Sequence, residues 1–598
     1  MKRRMIAWGL AIAVFAFLLI GCAQKKETMT DDHKKAAGHE PVSIQMPYGN
    51  LSAFMDLVKE KYPEINLEVL PYSGQNMSAY VQDQLRADDM PDIYFTTMYM
   101  PGLEDLSDRL IDMSGYDFTG NYEESRLADV SDDGAIYLLP THYTCIGIIY
   151  NKTLLQKNGW KLPQSFAELK ELAKKAEEAG CQLALNQIQY PGYGFQYMCN
   201  ILDTSFLNTL DGRRWQKQFL AGETTVVDTP KLQEAFDELD EWRQIGMLNG
   251  NGSLQDDDQT QERMVEGNTL FMLGNRGIFD EETTDEFGMM PFLSKDGTQN
   301  AFILNVNRYV GLNKHLQEPG NEQKLKDALH VMEVLSTVEG LNALNENFKD
   351  TTILPLKDYT LPDSSCYKEI EEELNAGIAA PFLYDGWQNM IVSMGETMIA
   401  YMQGKCSIED VKAQLDRDQS LITDNTDTAY TTVSEKLDTA DCAKLVGIAF
   451  GRAVDADASL VSINKWYPLD ADGDLNKEGV SGALFALPVT DQELTSIVPT
   501  GWNGTILTVK LTGKRIKKLA QNGYDRMGDG NTFPYELVTK GGVLLKDKKI
   551  YTVAICGVTD DVAKEGDIKD TQIVGLDAVK KYVSSFEKLS PKDLVWEP

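Results

Sequence analysis

Residues 42–70 read VSIQMPYGNLSAFMDLVKEKYPEINLEVL, and the spacing of the apolar residues changes twice within this stretch. Apolar residues alternate from Val42 to Met46, recur at helical spacing from Leu51 to Tyr62, and alternate again from Ile65 to Val69. Alternation predicts a strand and the longer spacing predicts a helix, so a β-α-β unit is expected here. Another strand is predicted at Asp92 to Thr96, after a helix-like stretch. This order favours a mostly parallel sheet that is covered on both faces.

Ligands on such sheets gather at the carboxyl ends of the strands. Tyr48 and Tyr99 each lie just past a predicted strand. Both tyrosines are therefore candidate ligand-binding residues.

The N-terminus has the pattern of a secretory signal. Three basic residues at 2–4 precede an apolar run from Met5 to Leu18 and the sequence Leu19-Ile-Gly-Cys22. A charged start, a short apolar core and small residues before the cut are typical of such signals. The run is shorter than the roughly 20 apolar residues that span a bilayer, so a transmembrane anchor is the weaker alternative. Residues 1–21 are predicted to be removed, and the polar residues 22–40 to form an unfolded tether.

Composition limits the partners. The chain has 598 residues and a formal charge of −34, or −37 without the three basic residues of the signal. Such an acidic surface repels phosphate backbones, so no nucleic-acid partner is expected. The eight cysteines form no C-x-x-C pair, and apart from Cys22 they are interpreted mainly as small buried residues.

Several ordered segments resemble the extracellular solute-binding proteins of type 1 that serve sugar ABC transporters. The resemblance extends over residues 41–425, and Cys22 after Leu-Ile-Gly resembles the bacterial lipoprotein box, which implies lipidation of Cys22. The segments that carry the family resemblance are Pro91-Asp-Ile-Tyr94, Ala135-Ile-Tyr-Leu-Leu-Pro140, Ile149-Tyr-Asn-Lys152, Gly159-Trp-Lys-Leu-Pro-Gln-Ser-Phe166 and Met264-Val-Glu-Gly267.

This resemblance implies a two-lobed periplasmic-binding-protein-like fold of type II. The stretch from Tyr137 to Tyr150 would cross from the first lobe to the second at the floor of a ligand cleft, and Asn305 to Tyr309 would cross back. The alternative is a strand whose tip merely carries polar residues. If the crossing is correct, the lobes would close around a ligand by bending near Tyr143 and Asn307.

Aromatic faces and polar side chains suit a sugar ligand in such a cleft. The segment Tyr190-Pro-Gly-Tyr193-Gly-Phe195 is predicted to be a turn that cannot form a regular core helix. For each aromatic candidate, ordinary core packing is the alternative. The predicted ligand-binding residues are Tyr48, Tyr99, Tyr143, Tyr190, Tyr193, Arg276 and Trp387.

Residues 431–598 predict a second, smaller α/β domain. Their order of elements resembles the C-terminal domain of bacterial 5'-nucleotidases, which grips a nucleoside while a separate metal domain hydrolyses its phosphate. Two departures matter: Ser462-Ile-Asn-Lys-Trp466 replaces the family's Asn-Gly-Gly-x-Arg, and the metal domain is missing. Only five histidines occur in the chain, so a two-metal hydrolase is improbable and no cofactor is predicted.

An acidic stretch in this second domain resembles a calcium loop because oxygen ligands alternate around a glycine. Its twelfth position holds Ser481 instead of an acid, so a solvated turn is the favoured interpretation. The weak candidate ligands are Asp470, Asp472, Asp474, Asn476 and Glu478.

The sequence thus predicts a lipid-anchored substrate-binding component of an ABC importer on the outer face of the cell membrane. Its partners would be a sugar or oligosaccharide, a permease and the membrane, and it would not be an enzyme. The alternatives are a nucleotide or nucleoside receptor and, less favoured, a nucleotidase-type hydrolase.

Overall fold

The computed structural model describes most of the chain after the N-terminal segment. The described residues are 39–45, 51–70, 77–97, 106–250, 257–273, 284–344, 350–382, 387, 390–419, 429–463, 479–501, 503–523, 534–556 and 568–598.

The first lobe begins with the predicted β-α-β unit. Its strands β1, β2 and β3 are parallel, in the order β2-β1-β3. Its elements are β1 (Val42–Gln45), α1 (Ser52–Lys61), β2 (Leu67–Leu70), α2 (Met77–Arg86), β3 (Ile93–Thr96), α3 (Leu106–Arg109), α4 (Glu124–Ala128), β4 (Ser131–Asp132), β5 (Ala135–Ile136) and β6 (Leu139–Ile146).

The second lobe follows directly after β6. Its elements are β7 (Ile148–Asn151), α5 (Lys152–Asn158), α6 (Phe166–Glu178), β8 (Gln182–Asn186), α7 (Pro191–Leu202), α8 (Leu210–Leu220), α9 (Pro230–Gln244), α10 (Asp257–Val265), β9 (Thr269–Leu273) and β10 (Phe287–Met290). These four strands form a separate sheet in the order β10-β7-β9-β8.

The chain then returns to the first sheet and crosses back again. The elements are β11 (Phe302–Leu312), α11 (Glu322–Leu335), α12 (Val338–Leu344), α13 (Glu371–Asn375), β12 (Ala379–Pro381), α14 (Ile391–Met402) and α15 (Ile408–Asp418). Strand β11 is antiparallel to both β3 and β6. Three of the five pairings in the first-lobe sheet are parallel, as expected, whereas in the second-lobe sheet only β8 and β9 are parallel.

Helix α6 shows how closely local signals can fix an element. Ser165 caps it by accepting a hydrogen bond from the Glu168 backbone N–H at 3.2 Å. The Glu168 carboxylate accepts from the backbone N–H of Gln164 instead of that of Ser165, so the second bond of a capping box is displaced by one residue. Gly180, at φ +72°, follows the last turn, where a glycine adopts this conformation without strain.

The C-terminal region forms its own sheets. Its elements are β13 (Thr431–Val433), α16 (Thr439–Ala453), β14 (Ala458–Ser462), β15 (Pro488–Val489), α17 (Asp491–Ile497), β16 (Thr505–Thr512), α18 (Gly513–Asn522), β17 (Tyr535–Thr539), β18 (Ile550–Cys556), β19 (Lys569–Val574), α19 (Gly575–Val583) and β20 (Lys588–Leu589). The main sheet has the order β17-β14-β18-β16-β19. The α/β character predicted for this part of the chain is confirmed.

The described residues form three large apolar cores and two smaller ones, of which one lies under α18. Of the large cores, one fills the first lobe, one fills the second, and one lies under α16 and α19 in the C-terminal region. Among the described helices, none is both long and apolar enough to cross a bilayer.

Candidate ligand-binding cleft

Two paired strands carry the chain between the lobes. Leu139 of β6 belongs to the first-lobe core, whereas Ile148, just past the end of β6, belongs to the second-lobe core. In the same way Ile303, the second residue of β11, belongs to the second-lobe core, and Leu312 at its end belongs to the first-lobe core. The ladder between β6 and β11 is irregular from Val306 to Tyr309, where the strand passes from one core to the other. The predicted crossings therefore agree with the structure.

Gly147 joins β6 to β7 at a very close approach. A Cβ built on this glycine would lie 2.7 Å from the carbonyl oxygen of Met290 and 2.7 Å from Cγ of Met289. Real Cβ atoms do not come this close to backbone, so a larger residue would push β7 away from β10. The position at which the chain enters the second lobe is therefore reserved for glycine.

The polar residues inside the crossing strand β6 are bonded, as their burial requires. The Thr141 hydroxyl donates to the carbonyl of Arg308 at 3.0 Å. Nε2 of His142 lies 2.8 Å from the carbonyl of Leu341, and the ring is 1% exposed. Burial lowers the pKa of His142 to about 4, against the Leu341 contact, which favours the protonated ring. His142 is therefore a neutral strand residue between the lobes.

An aromatic pair, with one ring exposed and the other half-buried, stands at the edge of the second lobe. Tyr190 is 58% exposed, and its ring centroid lies 6.1 Å from that of Tyr193. The pair comes just after β8, at the first turn of α7. Exposed aromatic faces of this kind offer an apolar platform to a flat ligand.

The segment that carries this pair is a helix, which corrects the predicted turn. Pro191 occupies the first position of α7, where its fixed φ and missing N–H are tolerated. Gly194 and Gly395 permit close packing of α7 on α14. A Cβ on Gly194 would lie 2.6 Å from the Gly395 carbonyl oxygen, and a Cβ on Gly395 would lie 2.0 Å from that of Pro191. The glycines therefore serve helix packing and not a turn.

Tyr197, one turn further along α7, fixes the ends of two strands. Its hydroxyl accepts from the Gln187 N–H at 2.9 Å and lies 2.9 Å from the carbonyl of Leu273. Gln187 follows β8 and Leu273 ends β9, so one buried hydroxyl ties both strand ends to the helix that presents Tyr190. The sequence analysis missed Tyr197 because nothing in its pattern separates it from an ordinary core aromatic.

Comparisons with known proteins agree with this architecture. A family model described as bacterial extracellular solute-binding protein matches residues 53–320, which is less than half of the chain. A family 1 extracellular solute-binding protein from Bifidobacterium longum subsp. infantis is 19% identical over 64% of this chain and 99% of that chain, with a TM-score of 0.52. The two-lobed region has the fold of a solute-binding protein.

Two further solved structures share this solute-binding fold. The bacterial solute receptor AcbH, described as exclusively preferring β-D-galactopyranose, is 13% identical over 64% of this chain and 99% of its own, with a TM-score of 0.52. RafE in complex with raffinose is 13% identical over 64% of this chain and 100% of its own, with a TM-score of 0.50. No curated protein matches the chain.

Trp387 does not face a cleft in this solute-binding fold. It is 1% exposed in the second-lobe core. Its ring centroid lies 6.1 Å from Phe195, 6.3 Å from Trp215 and 5.6 Å from Phe219. These neighbours occupy its surroundings, so the structure assigns Trp387 to packing, in contrast to its predicted role.

Tyr143 is also buried, at 2% exposed. The Arg126 guanidinium carbon lies 4.7 Å from the centroid of its ring, and the backbone of Tyr143 bridges to Ile353. An occupied ring face cannot stack on a sugar, so the predicted stacking role does not fit this arrangement. The Tyr143 hydroxyl has no hydrogen-bond partner among the described residues.

The other predicted site residues belong to segments outside the described ranges. They are Tyr48, Tyr99, Arg276, the lipidation candidate Cys22, and the calcium candidates Asp470, Asp472, Asp474, Asn476 and Glu478. Within the described residues, no group of three or more His, Cys, Asp or Glu side chains is arranged to hold a metal ion. The six cysteines whose side chains are described are free thiols: Cys145, Cys181, Cys199, Cys366, Cys406 and Cys442.

Proposed function

We propose that the two-lobed region captures a carbohydrate between its lobes and delivers it to an ABC permease. The observation that carries the proposal is the pair formed by the exposed ring of Tyr190 and the half-buried ring of Tyr193, which lies at the end of β8 on the edge of the second-lobe sheet. Its rings suit the apolar C–H face of a pyranose. The sugars named for AcbH and RafE support the same ligand class.

Lobe closure is the mechanism that the crossing strands support. Within the described residues, β6, β11 and the segment 357–379 before β12 join the two cores, and the β6–β11 ladder is irregular at the midpoint of the crossing. Bending there would bring the second-lobe edge towards the carboxyl ends of β1 to β3. Tyr48, Tyr99 and Arg276 remain our candidates for the facing contacts.

The location and the remaining domains are part of the proposal. We place the protein on the outer face of the cell membrane, attached through a lipid on Cys22 and a tether over residues 22–40. Residues 41–425 would form the binding domain. Residues 431–598 would be a nonenzymatic domain that resembles the C-terminal domain of 5'-nucleotidases, since Ser462 to Trp466 lacks the ligand-admitting glycines of that family.

Titration calorimetry against a glycan panel that includes galactose and raffinose tests the proposal. A sugar that binds only the folded state should also raise the free energy of unfolding by about 2.7 kcal/mol at a hundredfold excess over Kd. Tyr190→Ala and Tyr193→Ala should each weaken binding about three- to tenfold, because an aromatic contact contributes roughly 0.5–1.5 kcal/mol.

Tyr116→Ala is the matched control, because Tyr116 also stacks on a neighbouring ring, at 5.5 Å from Phe118 in the first lobe. It should leave glycan affinity unchanged. Equal affinity in all three variants would contradict the assigned site. If nucleotides bind and no glycan does, the nucleotide-receptor alternative replaces this proposal.

A further inference from the structure

A cationic helix stands out in this acidic protein. The chain carries a formal charge of −34, yet α18 holds Lys514, Arg515, Lys517 and Lys518 and no acidic residue. The three lysines are exposed. Ile516 and Leu519 on the opposite side are buried. The helix therefore presents a continuous basic face to solvent.

The connection before β18 extends this basic face. Lys546, Lys548 and Lys549 are all exposed. The N–H of Gly513 donates to the Lys549 carbonyl at 2.9 Å, which joins the connection to the start of α18. Asp547 is the only acid of the connection, and it pairs with Lys517 at 2.5 Å.

Large aliphatic side chains are exposed beside these lysines. Leu544 is 91% exposed, Val543 58% and Ile550 61%. They are three of the eight large apolar side chains exposed in the described part of the chain. Leu545 is 9% exposed and packs under α18, so the neighbouring Leu544 is held outward on an anchored segment.

The basic face lies on the side of the C-terminal sheet that is turned away from the first lobe. Val461 and Ala554 of the sheet belong to the core under α16 and α17, whereas their neighbours Leu460 and Val553 belong to the core under α18. Successive strand residues point to opposite faces, so α17 and α18 cover opposite sides of the sheet.

The α17 side is the one that docks on the first lobe. Phe485 is buried in the first-lobe core, with its ring centroid 5.6 Å from that of Tyr80 on α2. Lys436 pairs with Asp89 at the same contact. The α18 side is therefore not covered by the first lobe.

We propose that the exposed face formed by residues 513–522 and 543–550 docks on an anionic lipid bilayer. Lysines beside protruding aliphatic residues match such a surface, since the cations meet lipid headgroups and the aliphatic groups enter the boundary of the acyl chains. A soluble polyanion would use the lysines and leave Leu544 in water. The acidic charge elsewhere is screened beyond about 10 Å at 0.1 M salt, so it does not prevent local docking. This docking is independent of the proposed sugar site.

Co-sedimentation with vesicles tests the proposal. The polypeptide should begin at Ala23, which retains every described residue and removes the predicted signal and lipid. The vesicles should contain phosphatidylcholine alone or with phosphatidylglycerol, at 0.1 and 0.5 M NaCl. Binding should require phosphatidylglycerol and weaken at the higher salt.

Two variants locate the contact. The triple variant Lys514→Glu, Lys518→Glu and Lys548→Glu should bind at least about 100-fold more weakly, from about fivefold per lysine. Leu544→Asp should also weaken binding. The controls are Lys174→Glu, Lys175→Glu and Lys217→Glu together, and Leu210→Asp, whose parent leucine is 85% exposed on α8. Both controls should bind as the parent does.

Three outcomes would overturn the proposal. The first is no binding of the parent to anionic vesicles, and the second is equal binding by the Leu544→Asp and Leu210→Asp variants. The third is binding of soluble polyphosphate without binding to vesicles, which would assign the face to a polyanion chain. Melting curves of each variant show whether it is folded. If the triple lysine variant is unfolded, the comparison of Leu544→Asp with Leu210→Asp still tests whether this face binds the bilayer.

Discussion

Two aromatic residues of the predicted ligand site lie near the starts of α7 and α14, and they differ sharply in exposure. Tyr190, just before α7, is 58% exposed, whereas Trp387, just before α14, is 1% exposed. Both residues follow short polar or turn-forming segments, so their local sequences give the same expectation. The difference comes from α8, which contributes Trp215 and Phe219 around Trp387 and no ring contact to Tyr190. Burial here is decided by a distant helix.

The largest expected effect is that of Trp387→Ala. Removing a fully buried tryptophan should lower the free energy of unfolding by about 3–5 kcal/mol, because it leaves a cavity among Phe195, Trp215 and Phe219. A residue that only contacts ligand would instead leave the unliganded protein about as stable as before. Urea unfolding of the unliganded protein measures the change.

Trp387→Phe is the control, since it retains an aromatic ring in the same core and should be clearly milder than Trp387→Ala. The assignment of Trp387 to the core is wrong if Trp387→Ala leaves the free energy of unfolding unchanged and abolishes glycan binding. In that case Trp387 would be a binding residue, as the sequence suggested.

Elements with strong local signals were predictable from the sequence. The first β-α-β unit and the capped helix α6 follow from apolar spacing and caps within a few residues, whereas the crossing strands were expected from the family resemblance. The strand directions in the two sheets were less accessible, because β11 pairs with β3 and β6 from far along the chain.

The candidate site was predictable only in part, for a related reason. An aromatic residue near a glycine or proline can be exposed or buried, and the sequence does not show which helix will cover it. The segment from Tyr190 to Phe195 illustrates this, since its glycines looked like turn formers. Their actual role, the close contact between α7 and α14, depends on Gly395, which lies about 200 residues away.

The second-largest effect should come from Gly395→Ala. The new Cβ would lie 2.0 Å from the carbonyl oxygen of Pro191, so α7 and α14 must separate. Overpacking of this kind costs about 1–3 kcal/mol. Because Pro191 begins the helix that carries Tyr190, the same change should weaken glycan binding in calorimetry.

Gly192→Ala is the matched control on the same turn. Its Cβ would meet only Cγ2 of Ile391, at 3.9 Å, which is ordinary contact. Removing a glycine without strain should stabilise the protein slightly, by about 0.4–1 kcal/mol. If both variants lose stability equally, close packing of α7 on α14 does not explain the difference between the two aromatic positions.

The smallest expected effect lies at the other end of α7, where Asp203 is 1% exposed and both carboxylate oxygens lack hydrogen-bond partners among the described residues. Burial raises the pKa of the Asp203 carboxyl well above its ordinary value, although Arg213 opposes the shift. The folded protein therefore binds more protons here than the unfolded chain, and this contribution to stability falls as the pH rises from the unfolded pKa towards the folded one. Asp203→Asn should remove that loss and stabilise the protein at pH 8 by on the order of 1 kcal/mol, near the lower end for a buried unsatisfied group.

The difference between variant and parent, measured by urea unfolding at pH 5 and pH 8, isolates Asp203. His142 also titrates, with the opposite sign, because its pKa is lowered to about 4 and its contribution is lost as the pH falls from about 6.5 towards 4. The His142 contribution is common to both proteins and cancels in the difference.

Asp211→Asn on α8 is the control, since Lys231 lowers the pKa of that exposed carboxyl and its removal should lower the stability instead of raising it. A gain from Asp203→Asn that is equal at both pH values would mean that the carboxyl is not protonated in the fold, and that the core beneath the aromatic pair tolerates a buried charge.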